Sequence, residues 1–312
     1  MMGKTVLGID IGGTNTVWGL VASGGQILRR GQISTRGYDD VASYIHQLYT
    51  SIHQALGPDE FNRVEAIGVG APNGNFFTGQ IEFAPNLEWK GIIPLQALLV
   101  EQFQKQVRLT NDANAAALGE MQFGAAIGMR DFILVTLGTG VGSGFVANGQ
   151  LVYGHDGFAG ELGHVIAIRN GRACGCGRNG CLEAYTSATG VVRTALELIN
   201  ELPHSTTLKK EGLSAKKIAQ AAQHGDAVAK RVFEITGEIL GQSLADAVAI
   251  TSPEAIILFG GLVQAGDLIM QPLREAFEAN LLSIYKHKVR ILLSALPESD
   301  AAILGAAGLA AS

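Results

Sequence analysis

Apolar residues follow two patterns along the chain, short continuous runs and longer stretches with helical spacing. Residues 38–56 place apolar side chains three or four positions apart, which predicts a helix that stops at Gly57-Pro58. The pattern predicts further helices over residues 94–105, 112–123, 191–200, 214–222, 227–250, 268–281 and 301–311. It predicts strands over residues 6–10, 17–21, 26–28, 64–70, 107–110, 131–137, 145–147, 150–152, 255–259 and 289–293. This alternation indicates an α/β protein with mixed sheets.

Two parts of the chain open in the same way, with a strand, a glycine-rich loop, a second strand, a tight turn and a third strand. The first copy starts at residue 6 and the second at residue 131. In the second copy the turn is Asn148-Gly149, and Asn-Gly between apolar runs is a strong hairpin signal. We interpret the repeat as an internal duplication that produces two related domains facing each other across a cleft. The repeated hairpin disfavours the alternative, a single doubly wound domain.

Composition supports a well-buried globular chain that is large enough for two domains. The 312 residues are 47% hydrophobic and 16% charged, and 41 of them are glycine. The net charge of −5 argues against a nucleic-acid partner, which would require a basic face. The first strand follows the initial methionine closely, and no apolar run is long enough to span a bilayer, so we expect no signal peptide and no membrane segment. A soluble cytoplasmic protein is the expectation.

The chain's three cysteines form a cluster that a histidine precedes. Cys174, Cys176 and Cys181 with His164 supply three thiolates and one imidazole, the ligand set of a tetrahedral structural zinc site. A disulfide would leave one cysteine over, and Cys174 and Cys176 are too close in sequence to bridge comfortably. The remaining alternative is a chance group of small buried thiols.

Two carboxylates flank this cluster. Glu161 lies three residues before His164, and Glu183 lies two residues after Cys181. A zinc site would therefore place both carboxylates beside a rigid loop. The alternative is that both are solvated surface charges.

Each glycine-rich loop follows a predicted strand, at residues 10–15 and 138–144. Glycine lets backbone N–H groups approach phosphate oxygens, and Thr14 and Thr139 add hydroxyl donors. Neither loop has the spacing of a Walker loop or of a dinucleotide-binding loop. Two ordinary hairpin turns are the alternative interpretation.

Further polar residues lie at predicted strand ends. Asp10 ends the first strand, where a carboxylate can hold Mg²⁺ through water. Asn111 and Asp112 follow another strand and open a helix, so Asp112 is either a functional carboxylate or a plain N-cap. In the loop from Asn86 to Trp89, an amide and an indole could face a sugar.

These motifs together resemble the ROK family (repressor, open reading frame, kinase) from residue 6 to about residue 308. The matching segments are Asp10-Ile-Gly-Gly-Thr-Asn15, Asn86-Leu-Glu-Trp89, Asn111-Asp112-Ala-Asn-Ala-Ala116, Leu137-Gly-Thr-Gly-Val-Gly-Ser-Gly144, Glu161-Leu-Gly-His164 and the cysteine box through Glu183. The resemblance implies an actin-like/hexokinase-type (ribonuclease H-like) fold, a duplicated two-domain α/β architecture with an interdomain cleft. It also implies transfer of a phosphoryl group from ATP to the 6-hydroxyl of a hexose, and residues 86–89 are most similar to the glucokinase branch.

The same resemblance implies roles for single residues. Asp112 would be the catalytic general base, and Mg²⁺ would accompany ATP near Asp10. Sugar contacts would come from Asn86, Asn111, Asp112, Glu161, His164 and Glu183. Nucleotide contacts would come from Asp10, Gly12, Gly13, Thr14, Asn15, Gly138, Thr139, Gly140, Gly260 and Gly261. His164 would serve twice, with one ring nitrogen on structural zinc and the other on the sugar.

The implied domains are an N-terminal lobe of residues 1–112 plus 299–312 and a C-terminal lobe of residues 113–298. A homodimer or homotetramer is implied too. One segment departs from the family pattern, because Ala71-Pro72-Asn73-Gly74 stands where relatives carry Pro-Gly after the strand. Asn tolerates left-handed geometry, so we expect the turn to persist.

Several alternatives stay open at this stage. The preferred sugar could be another hexose or an N-acetylated amino sugar, and the donor could be ATP or polyphosphate. A sugar-responsive repressor is disfavoured by the early first strand and the acidic charge. A metal-stabilised sugar-binding module without kinase activity would bind glucose but release no ADP.

Overall fold

A computed structural model describes residues 5–202 and 205–311. The chain divides into two compact units. Unit 1 comprises Met1–Met129, Gly144–Gly160 and Ser294–Ser312, and unit 2 comprises Arg130–Ser143 and Glu161–Leu293.

The first five-stranded sheet combines an antiparallel meander with two parallel strands. Its strands are β1 (Thr5–Ile11), β2 (Asn15–Ala22), β3 (Ile27–Ser34), β4 (Val64–Gly70) and β7 (Gln106–Thr110), in the order β3-β2-β1-β4-β7. β1, β2 and β3 pair antiparallel, whereas β4 and β7 run parallel to β1. The carboxyl ends of β1, β4 and β7 therefore meet at one edge of this sheet.

The second sheet repeats this arrangement. Its strands are β8 (Phe132–Leu137), β9 (Val141–Ala147), β10 (Gln150–Leu151), β11 (Ala255–Phe259) and β12 (Arg290–Leu293), in the order β10-β9-β8-β11-β12. β9 and β10 pair antiparallel, and β8, β11 and β12 are parallel. The two sheets thus share one strand order, which is the architecture expected of an internal duplication.

Helices surround the sheets. They are α1 (Val41–Asn62), α2 (Leu95–Phe103), α3 (Asp112–Phe123), α4 (Glu183–Thr186), α5 (Ala188–Glu201), α6 (Ala215–Gln223), α7 (Ala227–Thr251), α8 (Asp267–Asn280) and α9 (Glu298–Ala311). Among the described residues, no helix is both long and apolar enough to cross a membrane.

The C-terminal helix packs directly on the first sheet, where glycines replace side chains. A Cβ on Gly8 would overlap the carbonyl oxygen of Ile303, and a Cβ on Gly68 would overlap that of Ala306. Strand backbone and helix backbone therefore approach more closely than any side chain would permit.

α3 meets α9 equally closely, because a Cβ on Gly119 would lie 2.9 Å from the Cα atom of Gly305. Because of this packing α3 belongs to unit 1, whereas the domains inferred from the sequence placed residues 113–129 in the C-terminal lobe. Residues 144–160 and 294–298 also lie in unit 1 rather than in the second domain.

Two local predictions need correction. α1 does not end at Gly57, because the helix resumes through Asn62 after a break at that residue (φ 68°, ψ 168°). Pro58 tolerates this position because proline suits the first turn of a helix. The sequence pattern also missed the two-residue strands β5 (Ile81–Glu82) and β6 (Ile92–Ile93), which pair antiparallel.

The departure from the family pattern leaves a regular turn. Asn73 adopts the left-handed conformation with φ 52°. Its side-chain amide donates to the carbonyl oxygen of Glu82 at 2.9 Å. The expectation that asparagine would support this turn is consistent with its geometry.

Candidate active site

The carboxyl ends of β1, β4 and β7 bring two carboxylates together in unit 1. Asp10 is the penultimate residue of β1, and Asp112 opens α3 shortly after β7. Gly70 packs closely between them, since a Cβ there would lie only 3.2 Å from Asp10 Oδ1 and 3.7 Å from the Asp112 Cα atom. The missing side chain lets the Asp10 carboxylate face the start of α3.

Asp112 is the first residue of α3 and does not cap it. The N-cap is Asn111, whose side-chain oxygen accepts a hydrogen bond from Asn114 N at 2.7 Å. Asp112 Oδ1 accepts from the adjacent Ala113 N at 2.8 Å. Of the two alternatives for Asp112, the plain N-cap is therefore wrong, because Asn111 supplies the capping oxygen.

Both carboxyl groups have raised pKa values. Desolvation, followed by the charge of Asp112, raises the pKa of half-buried Asp10 to about 7. Asp112 keeps access to solvent, but the protein packed around it desolvates its carboxylate and raises its pKa, which backbone hydrogen bonds partly offset. Two nearby acids with raised pKa values form a group that a divalent cation would stabilise.

The first glycine-rich loop is the tight turn between β1 and β2. Gly12 N donates to the carbonyl oxygen of Asn15 at 3.0 Å. A Cβ on Gly13 would lie 2.8 Å from the carbonyl oxygen of Asn86, so the loop that carries Asn86 packs over this turn. Arg36 Nε donates to the Gly13 carbonyl oxygen at 2.8 Å. Unit 1 thus brings together the glycine turn, the loop that carries Asn86 and the guanidinium group of Arg36.

The Trp89 side chain is buried rather than open to solvent. It is 9% exposed and belongs to the hydrophobic core of unit 1. Its ring centroid lies 4.5 Å from that of Tyr44. The buried indole therefore anchors the loop to the core of unit 1, while Asn86 in the same loop is exposed.

The second glycine-rich loop is the turn between β8 and β9 in unit 2. Gly138 N donates to the carbonyl oxygen of Gly140 at 3.0 Å. Gly260 lies close to the start of this turn, because a Cβ on Gly260 (φ 113°) would lie 2.5 Å from the carbonyl oxygen of Leu137. The Gly260-Gly261 pair follows β11, so the carboxyl ends of two parallel strands place both glycine segments side by side.

The histidine and the three cysteines converge in unit 2. The ligand atoms of His164, Cys174, Cys176 and Cys181 all lie within 4.8 Å of one another. Cys174 Sγ lies 3.7 Å from His164 Nδ1, and Cys176 Sγ lies 3.6 Å from Cys181 Sγ. The cysteines are free thiols.

These distances fit a tetrahedral metal site. Ligand atoms about 2.3 Å from a tetrahedral zinc ion lie roughly 3.5–3.8 Å from one another. A disulfide would instead require two sulfur atoms about 2 Å apart. The donor set and its spacing thus match structural zinc.

Glu183 and Glu161 occupy different surroundings next to this cluster. Glu183 is half-buried, with Oε1 3.8 Å from Cys174 Sγ and Oε2 accepting from Val141 N at 2.9 Å. Glu161 is exposed, and its carbonyl oxygen accepts from His164 N at 3.0 Å in a short 3₁₀ turn. Glu183 therefore contacts the second glycine turn as well as the cysteine cluster.

Sequence reasoning missed residues that act through backbone hydrogen bonds. Arg36 and Thr189 each bond a carbonyl oxygen of a glycine turn, at Gly13 and Thr139 respectively. No local pattern distinguishes them, since each is a single polar residue distant in sequence from the turn that it contacts.

The comparison with known protein families agrees with the motifs over almost the whole chain. The sequence profile of the ROK family matches residues 6–312. The chain belongs to the ROK family. Its α/β fold with two similar sheets is that of ROK sugar kinases, so the actin-like/hexokinase-type fold class is confirmed.

The relatives of this ROK protein include glucokinases. The glucokinase of Halalkalibacterium halodurans is 36% identical over 313 residues, covering 98% of this chain and 94% of that protein. The glucokinase of Thermotoga maritima is 36% identical, covering 97% and 96%. A crystal structure of a ROK family glucokinase from Streptomyces griseus, in complex with glucose and AMPPNP, is 34% identical with a TM-score of 0.80 and covers 98% of this chain and 99% of that one.

Proposed function

We propose that this protein is an ATP-dependent glucokinase that transfers the γ-phosphoryl group of ATP to the 6-hydroxyl of glucose. The similarity to two glucokinases and to a structure that contains glucose and AMPPNP supports both substrates. The observation on which the chemistry mainly depends is the placement of Asp112, a solvent-accessible carboxylate at the end of β7 beside Asp10.

Asp112 is assigned as the general base. Its carboxylate accepts the proton of the sugar hydroxyl while that oxygen forms its bond to the γ-phosphorus and ADP leaves. Phosphoryl transfer has a loose transition state, so a carboxylate needs correct placement more than high basicity. The Asn111 cap and the hydrogen bond from Ala113 N hold this carboxylate at the helix start.

Sugar binding is assigned to the polar residues that the family motifs carry, which are Asn86, Asn111, Asp112, Glu161, His164 and Glu183. Fixed amides and carboxylates discriminate between epimers, because the wrong sugar leaves a polar group unpaired.

The zinc ion is assigned to His164, Cys174, Cys176 and Cys181, which would hold it as a structural site. Metal ligation would fix the ring of His164 and, if it used Nδ1, the ring atom nearest Cys174 Sγ, would leave Nε2 for a sugar hydroxyl. Loss of the metal should therefore weaken sugar binding.

Nucleotide binding is assigned to both glycine turns, to Asp10 and to the Gly260-Gly261 pair, which would border the adenosine. Mg²⁺ bound near Asp10 would neutralise phosphate charge. Its positive charge would also offset the desolvation and the carboxylate repulsion that raise the pKa of Asp10. These residues are Asp10, Gly12, Gly13, Thr14, Asn15, Gly138, Thr139, Gly140, Gly260 and Gly261.

Two further assignments go with this function. We place the enzyme in the cytoplasm, where ATP is available and thiolates remain reduced. We also propose a homodimer or homotetramer, which light scattering coupled to size-exclusion chromatography would measure.

The deciding experiment is a substrate panel for the purified protein. Glucose, mannose, fructose, allose, N-acetylglucosamine and N-acetylmannosamine are tested with ATP and with polyphosphate, and ADP and sugar phosphate are measured. The proposal expects the highest kcat/KM with glucose and ATP, and loss of turnover in Asp112→Asn. A higher kcat/KM for another sugar or for polyphosphate would correct the substrate, and glucose binding without ADP release would overturn the kinase assignment.

A further inference from the structure

One segment of unit 2 joins the cysteine cluster to the second glycine turn. It runs from Cys181, through α4, to Thr189 in the first turn of α5. Three hydrogen bonds connect it with residues 138–141. Val141 N donates to Glu183 Oε2 at 2.9 Å, Ala188 N donates to the Gly138 carbonyl oxygen at 2.8 Å, and Thr189 Oγ1 donates to the Thr139 carbonyl oxygen at 3.2 Å.

These bonds determine which way the turn's amide groups point. In a trans peptide the carbonyl oxygen and the following N–H lie on opposite sides. Fixing the carbonyl oxygens of Gly138 and Thr139 toward α5 therefore directs the N–H groups of Thr139 and Gly140 away from it. Gly138 has little packing of its own, since a Cβ there would meet nothing within 4 Å, whereas a Cβ on Gly140 would lie 2.5 Å from Glu183 Oε2, within the segment 181–189. The orientation of the donors thus depends on the segment 181–189.

The segment is itself attached to the cysteine loop. Cys181 at its start is buried. Arg172, two residues before Cys174, donates from its backbone N to the Tyr185 hydroxyl at 2.7 Å and from Nη1 to the Ala184 carbonyl oxygen at 3.1 Å. Its guanidinium carbon lies 4.4 Å from the centroid of the Tyr185 ring. The loop that carries the cysteines, residues 172–181, is therefore held directly against α4.

We infer that the segment Cys181–Thr189 positions the turn 138–141 for the nucleotide phosphates, with Thr189 as a positioning residue. The inference rests on the proposed nucleotide role of this turn. If the segment positions the turn, a change at the cysteine cluster alters nucleotide affinity as well as sugar affinity, which adds a second role to the proposed metal site. Thr189 is exposed and outside the cysteine cluster, so its substitution tests the connection without removing a metal ligand.

The test compares Thr189→Val with Thr189→Ser, which retains the hydroxyl donor. We expect Thr189→Val to raise the dissociation constant of Mg-AMPPNP and the KM for ATP roughly three- to ten-fold, because the variant loses the hydrogen bond to the Thr139 carbonyl oxygen as well as the one with Ser187 Oγ at 2.9 Å. The KM for glucose stays within about two-fold, and Thr189→Ser restores nucleotide affinity. Thr251→Val is the matched control, since its hydroxyl bonds only a carbonyl oxygen within its own helix, that of Ala247.

Hydrogen exchange of a peptide covering residues 132–145 provides a readout that needs no catalysis. Faster exchange is expected in Thr189→Val than in Thr189→Ser, and also in wild-type protein after zinc is removed by a chelator. Unchanged exchange in both cases, or a rise in the KM for glucose alone, would overturn the inference. A protein that phosphorylates no sugar would refute the proposed function while the exchange measurement still decides the positioning role.

Discussion

The carboxyl group of Asp10 lies beside the start of α3, where desolvation and the charge of Asp112 raise its pKa to about 7. The ligand-free protein therefore holds a proton on Asp10 that the unfolded chain releases above pH 3.8. The native state binds more protons than the unfolded state across this window, so the free energy of unfolding falls as the pH rises from 3.8 to about 7.

Asp10→Asn should remove much of this pH dependence. Thermal unfolding of the ligand-free wild type and of the variant, measured from pH 4 to pH 8, should give a smaller decline of Tm in the variant. Asp112 contributes in the same direction, because desolvation raises its pKa too. Parallel Tm curves for the two proteins would contradict the assigned environment of Asp10.

Asp112→Asn should lower kcat by about 10²- to 10⁴-fold, the usual effect of losing a general base. The amide oxygen can still accept a hydrogen bond from Ala113 N, and the Asn111 cap remains. Glucose affinity by calorimetry and Tm should therefore change little. A variant with near-normal kcat would exclude Asp112 as the base.

Removal of the metal should weaken sugar binding and lower stability. Cys176→Ser, or chelation of the wild type, should reduce the zinc content measured by mass spectrometry and lower Tm. The KM for glucose should rise roughly five- to ten-fold, because His164 loses its fixed orientation. Addition of zinc should restore the chelated wild type but not the variant. Unchanged kinetics in verified zinc-free protein would contradict this connection.

Because α9 packs closely on the first sheet, alanine should destabilise the protein much more at Gly68 than at Gly24. Gly68→Ala places a Cβ against the Ala306 carbonyl oxygen and should destabilise the protein by about 1–3 kcal/mol or more. Gly24 is exposed in the β2–β3 turn with nothing within 4 Å of its Cβ position, so Gly24→Ala should stay within about 0.5 kcal/mol. Denaturant unfolding measures both. Equal changes in the free energy of unfolding of the two variants would refute the close packing of α9 on β4.

Much of the architecture could be predicted because it follows from the spacing of apolar residues along the sequence. The strand–glycine–strand openings at residues 6 and 131 correspond to β1–β2 and β8–β9, and both belong to sheets of the same order. The cysteine cluster was predictable for a similar reason, since its donors are rare residue types at short spacing and the structure brings them within 4.8 Å.

Other features depend on contacts between residues distant in sequence. Trp89 has the same local sequence whether it faces a sugar or packs on Tyr44, and only the fold places it in the core. Asn111 and Asp112 are both good capping residues, and the helix start decides between them. Thr189 bonds the Thr139 carbonyl oxygen, a contact that helical periodicity cannot reveal. Strands as short as β5 and β6 carry no periodic signal.

The position of α9 has a consequence for biosynthesis. β1 and β4 precede α9 in the chain, yet α9 is the helix that covers one face of both strands. At about 5–20 residues per second, synthesis of the chain between β1 and α9 takes roughly 15–60 s, and this surface of the sheet stays uncovered during that time. Unit 1 therefore cannot complete its folding until α9 has been synthesised, and a variant that lacks α9 would expose the apolar surface of the sheet to chaperones or to other unfinished chains.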